Sequence, residues 1–250
     1  MPVTPDETWD DLFDEIYIPT YMPALAEHDS AEEARRAAEL AGVGCEAQIL
    51  DIPTGFGRHA IPLAGLGFHV TGVDRSAVQL SEARRSAGEA EWPKWVQADF
   101  RELPFEDESF DAVLCLFSSI GYRGEDGDRE AFAEFLRVLR PERALIVETL
   151  HRDRLMAILQ ERDWQPLDDD AVRLEERRVD YVAGEIETTL SLLAVGKRRS
   201  ATYRIRVYTT TELVKLLREA RFGEIECFGD LEGGPLSRET RLVVRARKPA

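Results

Sequence analysis

Two hydrophobic periods divide the chain. Between residues 47 and 150, short apolar runs alternate with amphipathic stretches. "AQILDI", "HVTGVD", "KWVQAD", "FDAVLCLFSSI" and "RALIVETL" are the runs, each short enough for a strand. "RHAIPLAGLG", "SAVQLSEARRSAG" and "DREAFAEFLRVLR" carry helical spacing, the last stopped by Pro141. Apolar strands joined by amphipathic helices predict a parallel sheet covered on both faces. Right-handed crossovers make that sheet doubly wound. Over residues 165–210 the period falls to two. "AVRLEERRVDYV", "GEIETTLSLLAVG" and "SATYRIRVYT" predict an antiparallel meander turning at Ala183-Gly184 and Gly196-Lys197. Helical spacing returns in "TTELVKLLREARFG", with Thr209 to Thr211 as N-caps, and two strands follow, "EIECFGDL" and "RLVVRARK", joined by "EGGPLSRET".

The first 41 residues read as helices. Thr4 caps a segment that puts Trp9, Leu12, Phe13 and Ile16 on one face, and Pro19 and Pro23 interrupt it. "SAEEARRAAELAG" predicts a second helix with Ser30 as N-cap, Glu33 closing a capping box and Gly42 past its end. The expected division is a helical cap over 1–44, an α/β core over 45–163, an inserted meander over 164–209 serving as a lid or dimer element, and completion of the core over 210–250.

Composition narrows the functions. The chain has 250 residues with 48 acids against 32 bases, a net charge of −16. That field repels polyphosphate, so nucleic acid is not the expected substrate. No apolar run reaches the length of a membrane helix, and the acidic N-terminus lacks the order of a signal peptide, so a cytoplasmic protein without a membrane partner is expected. Cys45, Cys115 and Cys227 form no CxxC, and His28, His59, His69 and His151 have no metal-ligand spacing, so no metal is expected.

The candidate chemistry starts at "DIPTGFGRHA". Gly55 and Gly57 let backbone approach a ligand, and the following helix offers free N–H groups. As a dinucleotide fingerprint "GFGRHA" fits G-x-G-x-x-A, with Asp74 ending the next strand to hold ribose hydroxyls. Two acids turn the reading away from a nicotinamide dinucleotide. Asp51, at the end of the first strand, would repel a pyrophosphate but suits a ligand carrying an ammonium and a sulfonium. Asp99, followed by Phe100, ends the third strand, where a carboxylate and a backbone N–H can read an adenine. Asp74 and Asp99, each taken singly, are as well explained as caps for the next helix. Gly65 and Gly67 read as a helix end and turn, and Phe132 and Phe135 as core.

The runs "ILDIPTGFGRHAIPLAGLGFHVTGVDRS", "VQADFRELPFEDESFDAVLCLFSSIGY" and "FLRVLRPERALIVETL" together resemble the class I S-adenosylmethionine-dependent methyltransferases. The resemblance covers about residues 45–150, and the closing helix and strands over 210–248 extend it. It implies a Rossmann-like, seven-stranded, mostly parallel sheet whose last strand is antiparallel. It also implies S-adenosylmethionine as cofactor. Asp51 and the Gly55 to Gly57 backbone would surround its methionine end, with Pro53 and Arg58 in the same turn. Asp74 would take both ribose hydroxyls and Arg75 would pack beside the adenine. Asp99 and Phe100 would hold that adenine, and Phe117 would line the floor. Pro53, where a small residue or Cys is usual, and Glu142-Arg143, where Gly-Gly is usual, depart from the pattern.

Methyl transfer is an in-line displacement that asks for positioning and dryness more than for a fixed catalytic set. "LFSSIGY" is similar to a segment of amino-sugar N-methyltransferases, in which a His often stands at the Tyr122 position. Tyr122 and His151 are therefore the acceptor-side candidates, with Ser118, Ser119 and Glu148 beside them. Tyr17 and Tyr21 would close the site from the N-terminal cap. Arg204 and Arg206 read as an anion-binding pair or a solvated strand face. The expectation is methyl transfer to nitrogen or oxygen of a small molecule, by a monomer or homodimer. The alternatives are an NAD(P)-dependent oxidoreductase and a non-catalytic relative that only binds the cofactor.

Overall fold

The computed structural model describes residues 11–25, 29–167, 171–194 and 196–250. Thr4 and Trp9 lie outside these residues.

A π-helical turn over Asp11–Ile16 runs into α1, Tyr17–Leu25, and α2 follows over Ser30–Ala41. Strand and helix then alternate: β1 (Gln48–Asp51), α3 (Ala60–Gly65), β2 (His69–Asp74), α4 (Ala77–Ala87), β3 (Lys94–Gln97), β4 (Phe110–Cys115), α5 (Gly124–Val138) and β5 (Leu139–Thr149). The short α6, Arg152–Ile158, leads to four consecutive strands: β6 (Arg162–Pro166), β7 (Ala171–Asp180), β8 (Glu185–Ala194) and β9 (Lys197–Arg206). The chain closes with α7 (Thr210–Glu219), β10 (Gly223–Phe228) and β11 (Leu242–Arg247).

The main sheet has seven strands in the order β10-β11-β5-β4-β1-β2-β3. The pairs β1–β2, β1–β4, β2–β3 and β4–β5 are parallel. The last strand, β11, is antiparallel to both β5 and β10. β1 and β4 are neighbours separated by two crossovers, which makes the gap at their carboxyl ends the switch point where α/β sheets bind ligands. The apolar runs fill both faces, as their patterns require: Ile49, Leu50, Val70, Val113, Leu114, Leu145 and Ile146 are fully buried. One core lies toward α5 and α7 and the other toward α2 and α3.

β6 to β9 form a separate antiparallel sheet. The meander therefore has four strands where three are expected from the sequence. "RDWQP" is an exposed edge strand with no apolar alternation, so no periodicity announces it. This sheet packs on the N-terminal segment, with Leu12 and Ile16 buried against Leu190, Leu192 and Ala201. Each such side chain contributes about 1.5–3 kcal/mol. Two further expectations shift. Asp29, not Ser30, caps α2, accepting the Glu32 N–H at 3.0 Å. α1 runs through both prolines. Pro19 falls just after the π-helical turn, and Pro23 falls just before the end of α1. Gly42 ends α2 in the left-handed conformation, as expected.

Candidate active site

A cleft opens at the switch point, its space amounting to about 560 Å³ with the open solvent at its mouth included. Ile52 and Pro53 line it after β1, Val73, Asp74 and Arg75 after β2, and Ala98, Asp99 and Phe100 after β3. Phe117, Ser118, Ser119 and Tyr122 line it after β4, and Phe13 and Tyr17 from the N-terminal segment. Of the residues singled out in the sequence, Pro53, Asp74, Arg75, Asp99, Phe100, Phe117, Tyr122 and Tyr17 thus meet in one wall. Asp51, Gly55, Gly57, Arg58, Tyr21 and His151 are outside that lining.

The glycine turn is tied to the second strand. Gly55 N–H donates to Asp74 Oδ2 at 2.8 Å, and Ser76 N–H donates to Asp74 Oδ1 at 2.9 Å. Burial nonetheless pushes the Asp74 carboxyl up to about 6. These two donors and the Arg75 N–H do not offset the cost of burial, which is the largest influence on the group. Asp51 is buried and accepts the Thr54 hydroxyl at 2.7 Å, and burial raises its carboxyl too. Gly57 is small for a reason the sequence did not show. At φ +84°, a Cβ there would stand 2.7 Å from the Trp95 indole, and one at Gly72 would stand 2.6 Å from it. The indole of β3 fills the space that both glycines leave.

Asp99 is braced by Arg101, whose Nε and Nη2 reach its two oxygens at 2.9 and 2.8 Å. Burial works upward on this carboxyl, but the Arg101 contacts hold it below the ordinary value. Phe100 is buried and packs edge-on against Phe135. Arg58 lies beside the turn, its side chain only 8% exposed. It pairs with Glu33 at 2.5 Å and Ser30 at 3.1 Å, and its carbon centre sits 4.7 Å from the Phe117 ring centroid. Its Nη2 is buried with no hydrogen-bond partner.

The tip of β4 is tightly built. Phe117 and Ser118 both adopt positive φ, 57° and 61°, which non-glycine residues avoid. Glu148 at the end of β5 holds them there: its side chain accepts the Phe117 N–H at 2.8 Å and its carbonyl accepts the Ser118 N–H at 2.9 Å. Arg241, from the loop before β11, pairs with Glu148 and donates to Ser118 Oγ at 2.6 Å. No local sequence signal links residues 118, 148 and 241.

An aromatic roof covers the acceptor side. Phe13 packs against Tyr17 at 5.2 Å and Tyr122 at 5.5 Å, and Tyr122 packs against Tyr203 of β9 at 5.9 Å. Burial pushes the phenols of Tyr17, Tyr21 and Tyr122 up, so they stay neutral. Tyr21 donates to buried Glu175 at 3.1 Å. His151 is buried at the start of α6, with Nε2 3.4 Å from Thr210 Oγ1. Arg206 and Arg204 do not form an anion-binding pair. Arg206 is engaged by Glu212 at 2.8 Å and by the carbonyls of Gly184 and Val207, and Arg204 is paired with Glu187. Among the described residues, no cluster of His, Cys, Asp and Glu could hold a metal ion, and no helix is long and apolar enough to cross a membrane.

Residues 49–142 match a family model described as a methyltransferase domain. A demethylmenaquinone methyltransferase of Clavibacter sepedonicus is 37% identical over 100 residues, which are 40% of each protein. The chain spans about half the length, or less, of the curated relatives it matches. Among solved structures, the CcbJ methyltransferase of Streptomyces caelestis superposes with a TM-score of 0.78 at 26% identity, covering 96% of both chains. The sugar N-methyltransferase KedS8 of a Streptoalloteichus species shares the fold, with a TM-score of 0.70 at 21% identity over 94% of both chains. Over residues 49–142 the chain thus matches a methyltransferase domain, and within this strand order it superposes over almost its whole length on a solved methyltransferase.

Proposed function

We propose that the protein moves a methyl group from S-adenosylmethionine to a nitrogen of a small-molecule acceptor. One observation carries the reading: acids and aromatics from the ends of β2, β3 and β4 meet in a single cavity at the switch point. The residues suit the cofactor. A diol would supply Asp74 with further donors. Asp99 and Phe100 would hold the adenine, with Arg75 beside it. The Arg58 Nη2, buried and unpartnered, offers a partner for the carboxylate of the methionine end. The bound cofactor supplies a methyl group activated by a sulfonium.

The rest of the work belongs to the wall. Phe13, Tyr17, Phe117 and Tyr122 exclude water, and their faces favour a cation in the cavity. Among the titratable groups in the lining, Asp74, Arg75 and Asp99 are taken up by the cofactor side, and the two tyrosines are held neutral. A neutral phenol orients an acceptor by hydrogen bonding but does not deprotonate it. His151, the base considered from the sequence, lies outside the lining. A wall without a base suits an amine, whose neutral form attacks without first losing a proton and whose methylated product sheds its proton to solvent, better than an alcohol. The sugar N-methyltransferase among the structural neighbours is consistent with an amino group as the acceptor. The net charge of −16 speaks against a nucleic-acid substrate.

Calorimetry with S-adenosylhomocysteine and with NAD tests the cofactor. Methyl-labelled S-adenosylmethionine offered with matched amines and alcohols tests the acceptor. Binding of the thioether alone and label on amines are expected. Binding of NAD alone, or label confined to alcohols, would overturn the corresponding half.

A further inference from the structure

The loop after β4 is gripped at one residue from two directions. Gly121 N–H donates to Asp128 Oδ1 at 3.0 Å, and Gly121 carbonyl accepts the Arg206 N–H at 2.9 Å. At φ +95°, a Cβ on Gly121 would collide with the Arg206 carbonyl oxygen. The end of β9 therefore reaches this loop only because residue 121 has no side chain. Asp128 is completely buried and accepts a second hydrogen bond, from the Tyr208 hydroxyl, at 2.6 Å. Tyr208 is buried in turn, with the Arg206 guanidinium 4.7 Å from its ring centroid. A buried carboxylate is dearer than an apolar residue of the same size, so its two donors mark a defined job.

The next residue, Tyr122, lines the cavity, with its ring against Phe13 and against Tyr203 of β9. β9 thus meets the loop twice, by backbone at Gly121 and by a ring at Tyr122. Asp128 itself does not line the cavity.

We infer that Asp128 is a positioning residue for Tyr122: by holding the Gly121 N–H, braced by Tyr208, it fixes where that phenol stands in the acceptor wall. What Tyr122 does there rests on the methyl-transfer reading; where its ring sits does not. Burial pushes the Asp128 carboxyl up to about 6, and the groups facing it are Tyr208, Arg206, Glu125 and, from β4, Cys115. Protonation in that range removes the charge that strengthens both hydrogen bonds, so the grip on Gly121 loosens as pH falls.

The test uses the full chain labelled with 3-fluorotyrosine, whose six tyrosines give separable fluorine signals. Tyr122→Phe identifies the Tyr122 signal. Asp128→Asn should move or split that signal by more than its width, while the dissociation constant of S-adenosylhomocysteine changes by less than about twofold, as for sites sharing no partner. In the parent protein the signal should also shift as pH falls through about 6, and in Asp128→Asn it should not. If Asp128→Asn does not fold, Tyr208→Phe, which removes one hydroxyl, should give a smaller shift in the same direction. An unmoved Tyr122 signal in a folded Asp128→Asn, or in Tyr208→Phe where that variant decides, overturns the inference. Failure of the parent protein to bind S-adenosylhomocysteine would instead sink the cofactor reading, and the fluorine signal would still decide the role of Asp128.

Discussion

Replacing Asp74 by Asn leaves shape almost unchanged and removes a charge, so it isolates what the carboxylate does. In the folded protein this group already accepts the Gly55 and Ser76 N–H groups, yet burial holds it near 6 against an ordinary 3.8. That gap corresponds to solvation withheld on the order of 3 kcal/mol. Ribose hydroxyls would return part of it. A hydrogen bond to a charged group is worth about 1.5–3 kcal/mol, and an asparagine oxygen still supplies a neutral acceptor. A net loss of about 1.4–2.8 kcal/mol follows, which is a roughly ten- to hundredfold rise in the dissociation constant of S-adenosylhomocysteine. Calorimetry measures it directly.

The pH dependence gives an independent sign. Donor hydroxyls favour the ionised acid, so affinity is full above about 6 and falls as pH drops through that value. The Asp74→Asn variant should be flat there. Stability of the unliganded protein runs the other way. A raised acid favours the fold below its unfolded value, and that contribution is lost as pH rises through about 6. Asp128 is raised to the same value, so melting curves mix the two groups and the affinity slope does not. An unchanged dissociation constant in Asp74→Asn, with the same pH slope as the parent, would refute the assignment of Asp74 to the ribose.

Arg58→Met should weaken S-adenosylhomocysteine by roughly tenfold or more while leaving 5′-methylthioadenosine, which lacks the amino-acid end, unaffected in competition binding; equal weakening of both would remove Arg58 from the carboxylate. Tyr122→Phe should lower turnover of an amine acceptor without changing affinity for S-adenosylhomocysteine, and matched losses of both would move Tyr122 to the cofactor side. Gly121→Ala combines a positive φ with a collision against Arg206 and should cost roughly 2–5 kcal/mol, read as a melting temperature lower by about 5–15 °C.

Legibility in the sequence followed the range of the interactions. The strands β1, β4 and β5 are buried on both faces, so their apolar runs could be read directly. Asp74 could be placed because it closes the apolar run of β2, and Asp99 because it follows β3 by two residues. β6 could not be read, since an exposed edge strand ending in Pro166 keeps no alternation. Contacts between distant residues were equally silent. Asp128 meets Tyr208 across 80 positions, and Ser118 meets Arg241 across 123. Arg206 reads as a strand-face charge in the sequence because its partners, Glu212 and the Gly184 carbonyl, come from other elements. Phe13 lines the cavity although its spacing describes an ordinary amphipathic helix; only the docking of that helix beneath β9 turns it toward the site.

The indole of Trp95 ties three distant positions into one unit of inheritance. Gly57 and Gly72 are locked as glycines by its bulk, so neither can drift to alanine while tryptophan persists. A lineage that trims residue 95 lifts only its share of the constraint: the left-handed backbone still holds residue 57 to glycine, and the Thr54 hydroxyl, 2.8 Å from a Cβ at residue 72, still crowds that position, so a protein engineer who wants to reshape the turn must change the strand and the turn together.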